Sequence, residues 1–147
     1  MILKKISILI LTNSLRSDFI KRCLQYHHNI GCKIIIIDSS KKKLIVNGPH
    51  IKVFQNCDED LYNRLHYGLS KVRTSHVLWL GDDDFLIKKT LRRCDKILKK
   101  NSYNMIQGQY VKFTEKNFSL KDYNSDFFFY NLKHFKKYQN KEYALSN

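Results

Sequence analysis

Two long apolar runs dominate the hydrophobic pattern of the chain. Residues 6–11 and 33–37 are almost continuous in β-branched and other apolar side chains, as expected for parallel strands that are covered on both faces. A third run, 77–80, leads directly into Gly81 and an aspartate triplet. Residues 51–54 alternate apolar and polar side chains, which indicates a short strand. The pattern therefore predicts four strands before residue 81, and we expect the three long apolar runs to be buried.

The segments between these strands have helical periodicity. One helix should begin after an N-cap at Ser17 and end before Gly31, and a second should begin near Asp58. A basic helix is predicted over about 88–100, followed by a strand over about 104–113. The face that we expect the second helix to bury consists of Leu61, Leu65, Leu69 and Val72. Alternating strands and helices predict an α/β fold, with a mostly parallel open sheet and helices on both faces.

No repeat, Gly/Ser linker or low-complexity tract divides the 147 residues. We therefore predict a single domain over residues 1–147. Segment 114–147 is aromatic and basic, and its pattern assigns no helix or strand.

Polar residues stand at the carboxyl ends of the predicted strands. Thr12 and Asn13 follow the first run, Asp38 follows the second, and the aspartate triplet follows the third. In open parallel sheets these ends meet at one edge, where ligands bind at the point at which the strand order reverses. The pattern predicts a ligand site at this edge.

The triplet itself suggests a metal ion. Adjacent carboxylates repel one another unless a cation or several hydrogen-bond donors lie among them. Oxygen ligands favour Mg²⁺ or Mn²⁺, which would leave positions open for a phosphate. The predicted ligands are Asp82, Asp83 and Asp84. A solvated acidic turn that caps the next helix explains the same pattern about equally well.

The net charge is +14, from 27 Lys and Arg against 13 Asp and Glu. Such a field attracts nucleic acid, anionic lipid or phosphorylated small molecules without choosing among them, and a lysine-rich solvated surface is an equally simple explanation. The four cysteines lack zinc or disulfide spacing, which favours reduced thiols in a cytoplasmic compartment. The N-terminal apolar run is too short for a signal sequence or a membrane span, so we expect a soluble protein.

Together these residues resemble the inverting family 2 glycosyltransferases, which have the nucleotide-diphospho-sugar transferase (GT-A) fold. The first strand and its Thr12-Asn13 turn are similar to the family's opening, and the second strand ends on an acid, Asp38. A helix that carries Arg64 follows, and then an apolar strand that ends in an Asp-x-Asp type motif. The resemblance covers about residues 6–110, the nucleotide-binding half.

The resemblance implies a role for each of these positions. Asp38 would accept a hydrogen bond from the nucleotide base, and Arg64 would meet the base or a phosphate. Asp82, Asp83 and Asp84 would share the ribose and the metal between them, with Asp83 as first choice for the metal. The implied binding set is Thr12, Asn13, Asp38, Arg64, Asp82 and Asp83. Without the resemblance, Arg64 pairing with Asp60 on its own helix is the simpler interpretation.

The implied substrates are a nucleoside-diphosphate sugar, with UDP as the expected nucleotide, and a glycan or lipid-linked acceptor. An acceptor hydroxyl would attack with inversion, helped by a carboxylate base that the sequence does not identify among Glu115, Asp122 and Asp126. Family members continue for about another hundred residues, so the chain could be truncated, with 114–147 as an acceptor-side or lid segment. The basic tail suggests peripheral contact with an anionic membrane at its inner face.

Three other functions fit parts of the pattern. The charge and the interleaved aromatics of 103–143 are compatible with a nucleic-acid-binding module, although the resemblance implies no specific nucleic acid. The triplet could serve a metal-dependent phosphoesterase, but such sites usually recruit more ligands from other strands. A transferase remnant that binds a nucleotide without turnover is the fourth possibility.

Overall fold

The computed structural model describes residues 3–106, 110–113 and 118–121. The chain divides into two compact units, 1–104 and 105–147. The first unit contains all helices that the structure describes and a four-stranded sheet. Its elements, in chain order, are β1 (Ile6–Thr12), a short 3-10 helix (Ser14–Arg16), α1 (Ser17–His27), β2 (Lys33–Asp38), β3 (Ile51–Gln55), α2 (Leu61–Lys71), β4 (His76–Leu80) and α3 (Lys88–Lys100).

The sheet has the strand order β3-β2-β1-β4, and every pairing within it is parallel. β1 is central, with β2 on one side and β4 on the other. The chain builds the sheet outward from β1 through β2 and β3, and then returns to the opposite side of β1 to add β4. The strand order therefore reverses between β1 and β4, where open α/β sheets bind ligands. The predicted α/β fold with a mostly parallel sheet is confirmed.

Both faces of the two central strands are buried. On one face, Leu9, Ile35 and Ile37 form a cluster. Two residues pack against it: Leu65 of α2, and Val72, the residue that caps the C-terminal end of α2. Side chains alternate along a strand, so Ile8, Ile10, Ile34 and Ile36 face the opposite side. Those four are also fully buried, and α1 and α3 each contribute buried apolar residues to this unit. Helices on both faces thus explain why these strands read as continuous apolar runs.

Helix α2 differs from its prediction in two ways: it begins at Leu61 instead of near Asp58, and it does not bury the whole predicted leucine face. Asp60 is its N-cap and accepts hydrogen bonds from the Tyr62 and Asn63 N–H groups. Leu61 and Leu69 are exposed, whereas Gly68 is buried. A Cβ at Gly68 would lie 2.7 Å from Cδ1 of Leu9. The helix therefore approaches the sheet through a glycine, which a pattern of leucines cannot indicate.

Strand β4 is less buried than its apolar sequence suggests. Only Leu80 is buried, while Val77 and Trp79 are 38% and 53% exposed. Within the described residues β4 pairs with β1 alone. The expectation of a buried third strand is wrong for this reason: one edge and part of one face of β4 lack cover in the described structure.

Helix α3 has the predicted bounds and buries Leu91, Asp95 and Leu98. The second unit contains an antiparallel pair, β5 (Tyr110–Phe113) and β6 (Phe118–Lys121). Within the strand predicted over 104–113, residues 110–113 are strand, residues 104–106 are not, and residues 107–109 lie outside the described residues. Most of the tail 114–147, including Glu115, Asp122 and Asp126, lies outside the described residues.

The cysteines are free thiols, with Cys23 and Cys32 buried and Cys57 exposed. Burial raises the pKa of the Cys23 and Cys32 thiols to about 12, with smaller contributions from nearby aspartates. In the part of the chain that is described, no helix has the length and apolar character needed to cross a bilayer.

Candidate active site at the carboxyl ends of β1 and β4

A hydrogen bond joins the carboxyl ends of β1 and β4. Thr12 is the last residue of β1, and Asp82 lies two residues beyond β4. The Thr12 hydroxyl donates to Oδ2 of Asp82 over 2.8 Å. Asp82 is only 3% exposed and Thr12 is equally buried. The two residues were predicted from separate parts of the sequence, and they meet where the strand order reverses.

Arg16 completes this arrangement, and the sequence pattern did not identify it. Its Nε donates to both oxygens of Asp82, over 2.6 and 2.9 Å, and one terminal nitrogen lies 2.8 Å from Oδ2 of Asp83. The guanidinium also lies over the Phe19 ring, 4.7 Å from its centroid. The hydrogen bonds that Arg16 donates to the two carboxylates, first Asp82 and then Asp83, raise the pKa of Arg16 above its ordinary value. We call Thr12, Arg16, Asp82 and Asp83 the β1–β4 site.

The three aspartates of the triplet have different environments. Asp82 is buried and both of its oxygens accept hydrogen bonds, whereas Asp83 is 51% exposed. Asp84 turns back, and its Oδ2 accepts from the Gly81 N–H over 3.2 Å. A Cβ on Gly81 would lie 2.7 Å from that oxygen and 3.0 Å from Oδ1 of Asp83. A side chain at position 81 would therefore displace the Asp84 carboxylate from the Gly81 N–H.

Metal-ligand geometry is absent from the described residues in their present arrangement. Among them, no group of three or more His, Cys, Asp or Glu side chains is placed to hold a metal ion. The cation that neutralises Asp82 and Asp83 is the guanidinium of Arg16.

Asp38 lies on the same edge of the sheet, paired in register with Thr12 across β1 and β2. It is fully buried. Its Oδ1 accepts from the Ser40 N–H over 2.9 Å and the Ser40 hydroxyl over 2.5 Å, and its Oδ2 accepts from the Leu44 N–H over 2.7 Å. Asp38 therefore holds the loop that follows β2.

Arg64 reaches this edge from α2. One terminal nitrogen donates to the Ser39 hydroxyl over 2.9 Å, and that hydroxyl in turn donates to the Thr12 carbonyl over 3.2 Å. The Nε of Arg64 is buried and has no hydrogen-bond partner among the described residues. No ion pair with Asp60 is present in the described structure. The side chain is directed at the ligand edge instead of its own helix surface.

Asn13 has a local role in the same turn. Its side-chain oxygen accepts from the Leu15 N–H over 3.0 Å and caps the short 3-10 helix that carries Arg16. Of the predicted binding residues, Thr12 and Asp82 are in direct contact, and Asp83 joins them through Arg16. Asp38 and Arg64 lie along the adjacent strand end, where Ser39 connects Arg64 to the Thr12 backbone. No sequence signal distinguishes Arg16 among 27 lysines and arginines.

Two residues of α1 fix the segment that follows the triplet. Cys23 donates its thiol to the Asp84 carbonyl over 3.6 Å, and Nε2 of His27 accepts from the Leu86 N–H over 3.0 Å. Nδ1 of His27 lies 2.7 Å from the Cys23 carbonyl and must donate to it, because a carbonyl only accepts. Burial lowers the pKa of His27, more than the bond to Cys23 raises it. A neutral, buried histidine thus holds the acidic turn against α1.

Comparisons with known proteins agree with this architecture. A family model described as "Glycosyl transferase family 2" matches residues 8–146. Among solved structures, the crystal structure of S. aureus TarS 1-349 is similar, with a TM-score of 0.55 and 18% sequence identity. The match covers 65% of this chain and 32% of that one, so the chain spans about a third of the length of that structure. A search of curated proteins found no match.

Proposed function

The chain belongs to glycosyl transferase family 2, and on that premise we propose that the β1–β4 site binds the diphosphate of a nucleoside-diphosphate sugar. The sugar would be transferred to an acceptor hydroxyl with inversion. The carrying observation is the Thr12–Asp82 hydrogen bond of 2.8 Å, which brings the carboxyl ends of β1 and β4 together at the point where the strand order reverses. An enzyme of this class needs its donor held where the charge of the leaving diphosphate can be stabilised.

The nucleotide would extend from this site toward the end of β2. Arg64 supports this direction, because its guanidinium is held at Ser39 and its buried Nε lacks a partner among the described residues. Asp38 is fully buried, so a base contact by its Oδ2, which among the described residues accepts only the bond from Leu44, requires the loop around Leu44 to move aside. Asn13 would act by fixing the turn. We propose UDP as the nucleotide.

A divalent ion fits this site only as a complex with the diphosphate. Mg²⁺ is usually held by about one or two protein carboxylates together with phosphate oxygens and water. Asp83 suits that role, because it is half exposed and only its Oδ2 is paired. Asp84 is next to it, whereas both oxygens of Asp82 are already taken by Arg16 and Thr12. We propose that Asp83, with Asp84, holds Mg²⁺ or Mn²⁺, which would neutralise charge on the diphosphate.

The protein's own groups have defined tasks in this scheme. Thr12 would fix the orientation of Asp82 through its hydrogen bond. Asp82 would in turn hold the Arg16 guanidinium beside the proposed position of the diphosphate. A carboxylate base would take the proton from the acceptor hydroxyl. The acids that the sequence offers for it, Glu115, Asp122 and Asp126, lie outside the described residues. A glycan or a lipid-linked molecule is the proposed acceptor.

We also propose that the protein acts in the cytoplasm, in peripheral contact with the inner face of an anionic membrane. Support comes from the net charge of +14, because basic surfaces bind anionic lipid by about 1 kcal/mol per Lys or Arg near the headgroups. Sedimentation with vesicles of anionic or neutral lipid tests this. Equal binding to both would contradict it.

Thermal unfolding of the full chain with nucleoside diphosphates, with and without Mn²⁺, tests the donor proposal. A ligand that binds the folded state at about 100 times its Kd adds roughly 2.7 kcal/mol of stability. We expect UDP with Mn²⁺ to raise the Tm. Asp83→Asn should abolish the metal-dependent part of that shift, and Glu59→Gln, a change in the exposed acids that precede α2, should leave it intact.

Two results would contradict the proposal. In the first, no nucleoside diphosphate changes the Tm at millimolar concentration, with or without metal. In the second, the chain binds oligonucleotides tightly with a steep dependence on salt, which indicates a nucleic-acid-binding module. Binding of UDP without any sugar transfer to glycan or lipid acceptors would identify a nucleotide-binding remnant.

A further inference from the structure

We propose that Arg16 is a built-in counter-ion that keeps free divalent metal out of the β1–β4 site, so that the site accepts a metal ion only together with a diphosphate. The inference concerns the metal selectivity of the same site and rests on the proposed function. It follows from the two ion pairs that Arg16 makes with Asp82 and Asp83.

The guanidinium occupies three of the four carboxylate oxygens of Asp82 and Asp83. Its Nε bonds to both oxygens of Asp82, and its terminal nitrogen bonds to one oxygen of Asp83. Thr12 adds a further bond to Asp82. A free metal ion could gain Asp82 only by breaking a bond to Arg16, which leaves it Asp83 and Asp84 as carboxylates. The ion would also lie close to the positive charge of the Arg16 guanidinium, which repels it.

The position of Arg16 is fixed by more than its carboxylate partners. The residue belongs to a 3-10 helix capped by Asn13, and its guanidinium lies over the ring of Phe19. The Arg16 side chain is 38% exposed, so a ligand in solvent can reach it. A planar guanidinium pairs with two oxygens in a fixed geometry, whereas a lysine ammonium is a compact charge on a flexible stem.

A diphosphate changes the balance at this site. Its oxygens are partners for both a guanidinium and a metal ion, so Arg16 could leave Asp83 for a phosphate oxygen while the ion takes its place on Asp83. The free ion offers Arg16 no such new partner. Asp82 is buried and keeps its bond to Thr12 throughout, which leaves Asp83 as the carboxylate that is exchanged.

Titration of Mn²⁺ into the full chain without nucleotide, followed by the spectroscopic signal of the free ion, tests this. Arg16→Gln removes the charge and frees Asp82 and Asp83, so we expect Mn²⁺ to bind at least about tenfold more tightly than in the wild type. Arg22→Gln is the matched control: Arg22 lies over the same Phe19 ring at 4.9 Å but makes no ion pair in the described structure. Its affinity should equal that of the wild type.

Arg16→Lys covers the case in which Arg16→Gln does not fold. A lysine keeps one charge but has a flexible stem and no planar pair of donors, so it should hold the two carboxylates less firmly, and Mn²⁺ should bind about threefold or more tightly than in the wild type. In a folded Arg16→Gln chain, adding Asp83→Asn should remove the gain. Mn²⁺ affinities within about twofold of the wild type in the folded Arg16 variants would overturn the inference.

Adding UDP to the same samples separates this inference from the proposed function. If UDP leaves the Mn²⁺ affinity of the wild type unchanged, the proposed diphosphate-bound metal ion is wrong, and the nucleotide-free comparison of Arg16 and Arg22 variants still decides the role of Arg16. If UDP raises the wild-type affinity while Arg16→Gln has no effect without UDP, the donor proposal stands and the counter-ion role is wrong.

Discussion

Acid should weaken the fold through His27, the buried histidine at the end of α1. Its two ring nitrogens have opposite tasks: Nδ1–H donates to the Cys23 carbonyl, and Nε2 accepts from the Leu86 N–H. Protonation of the ring would place its second proton on Nε2, where it would face the Leu86 N–H and break that hydrogen bond. The ring is also fully buried, which disfavours the charged form. Both effects act against protonation in the folded state.

The sign of the pH effect follows from the lowered pKa of His27. In the unfolded chain a histidine titrates near its ordinary value of about 6.5. Below that pH the unfolded state takes up a proton that the folded state does not, so the free energy of unfolding falls as pH falls. The loss is up to about 1.4 kcal/mol per pH unit and continues until the pH reaches the folded pKa. Above about pH 6.5 this contribution to stability is fully present.

Urea unfolding between pH 5 and pH 8 measures this effect. His27→Gln removes the titrating ring, so the variant should lose less stability between pH 6.5 and pH 5.5 than the wild type, by up to about 1.4 kcal/mol. The lost bond from Leu86 should lower its stability at all pH values by about 1–3 kcal/mol. His28→Gln, a change at the exposed neighbour, is the control. Equal pH slopes in the wild type and His27→Gln would refute the assignment.

Three further predictions concern the packing of α2, the loop after β2 and the buried cysteines. Gly68→Ala should lower the free energy of unfolding by about 1–2 kcal/mol, because the new Cβ would meet Leu9 at 2.7 Å; a variant as stable as the wild type would contradict the close approach. Asp38→Asn should cost about 2–3 kcal/mol, because an amide cannot accept all three bonds of the loop, and trypsin should cut at 41–43 faster; unchanged cleavage would contradict this. A thiol reagent at pH 8 should modify exposed Cys57 well before the two buried cysteines, whose pKa is raised to about 12; equal rates would contradict their burial.

The elements that the sequence predicted well are those whose pattern is local. β1 and β2 are buried on both faces, so their apolar runs mark them directly. Helix α3 has a strongly basic exposed face and a narrow buried face, and its predicted and observed bounds agree. The exposure of Val77 and Trp79 depends on which strand lies beside β4, and that information is not in their own segment.

The site shows the same division. Thr12, Asp38 and the triplet could be predicted because each follows an apolar run, and parallel strands bring their carboxyl ends to one edge. Arg16 could not be predicted, because its role comes from the 3-10 helix that directs it across β1 toward Asp82. Asp38 could be located, but its bonds to the following loop depend on how residues 39–44 fold back.

Arg16 gives Asp82 and Asp83, which share its guanidinium, different capacities to change partners. Asp82 is 3% exposed, and a buried carboxylate stays charged only with strong hydrogen-bond donors or a cation beside it. Thr12 supplies a hydrogen bond and Arg16 supplies a cation to this carboxylate. Because Asp83 shares the same guanidinium and is half exposed, it is the group whose pairing can change without uncovering a buried charge. A ligand that displaces Arg16 from Asp83 leaves part of the guanidinium without a partner, and under the proposed function a diphosphate carrying a divalent ion would supply that partner.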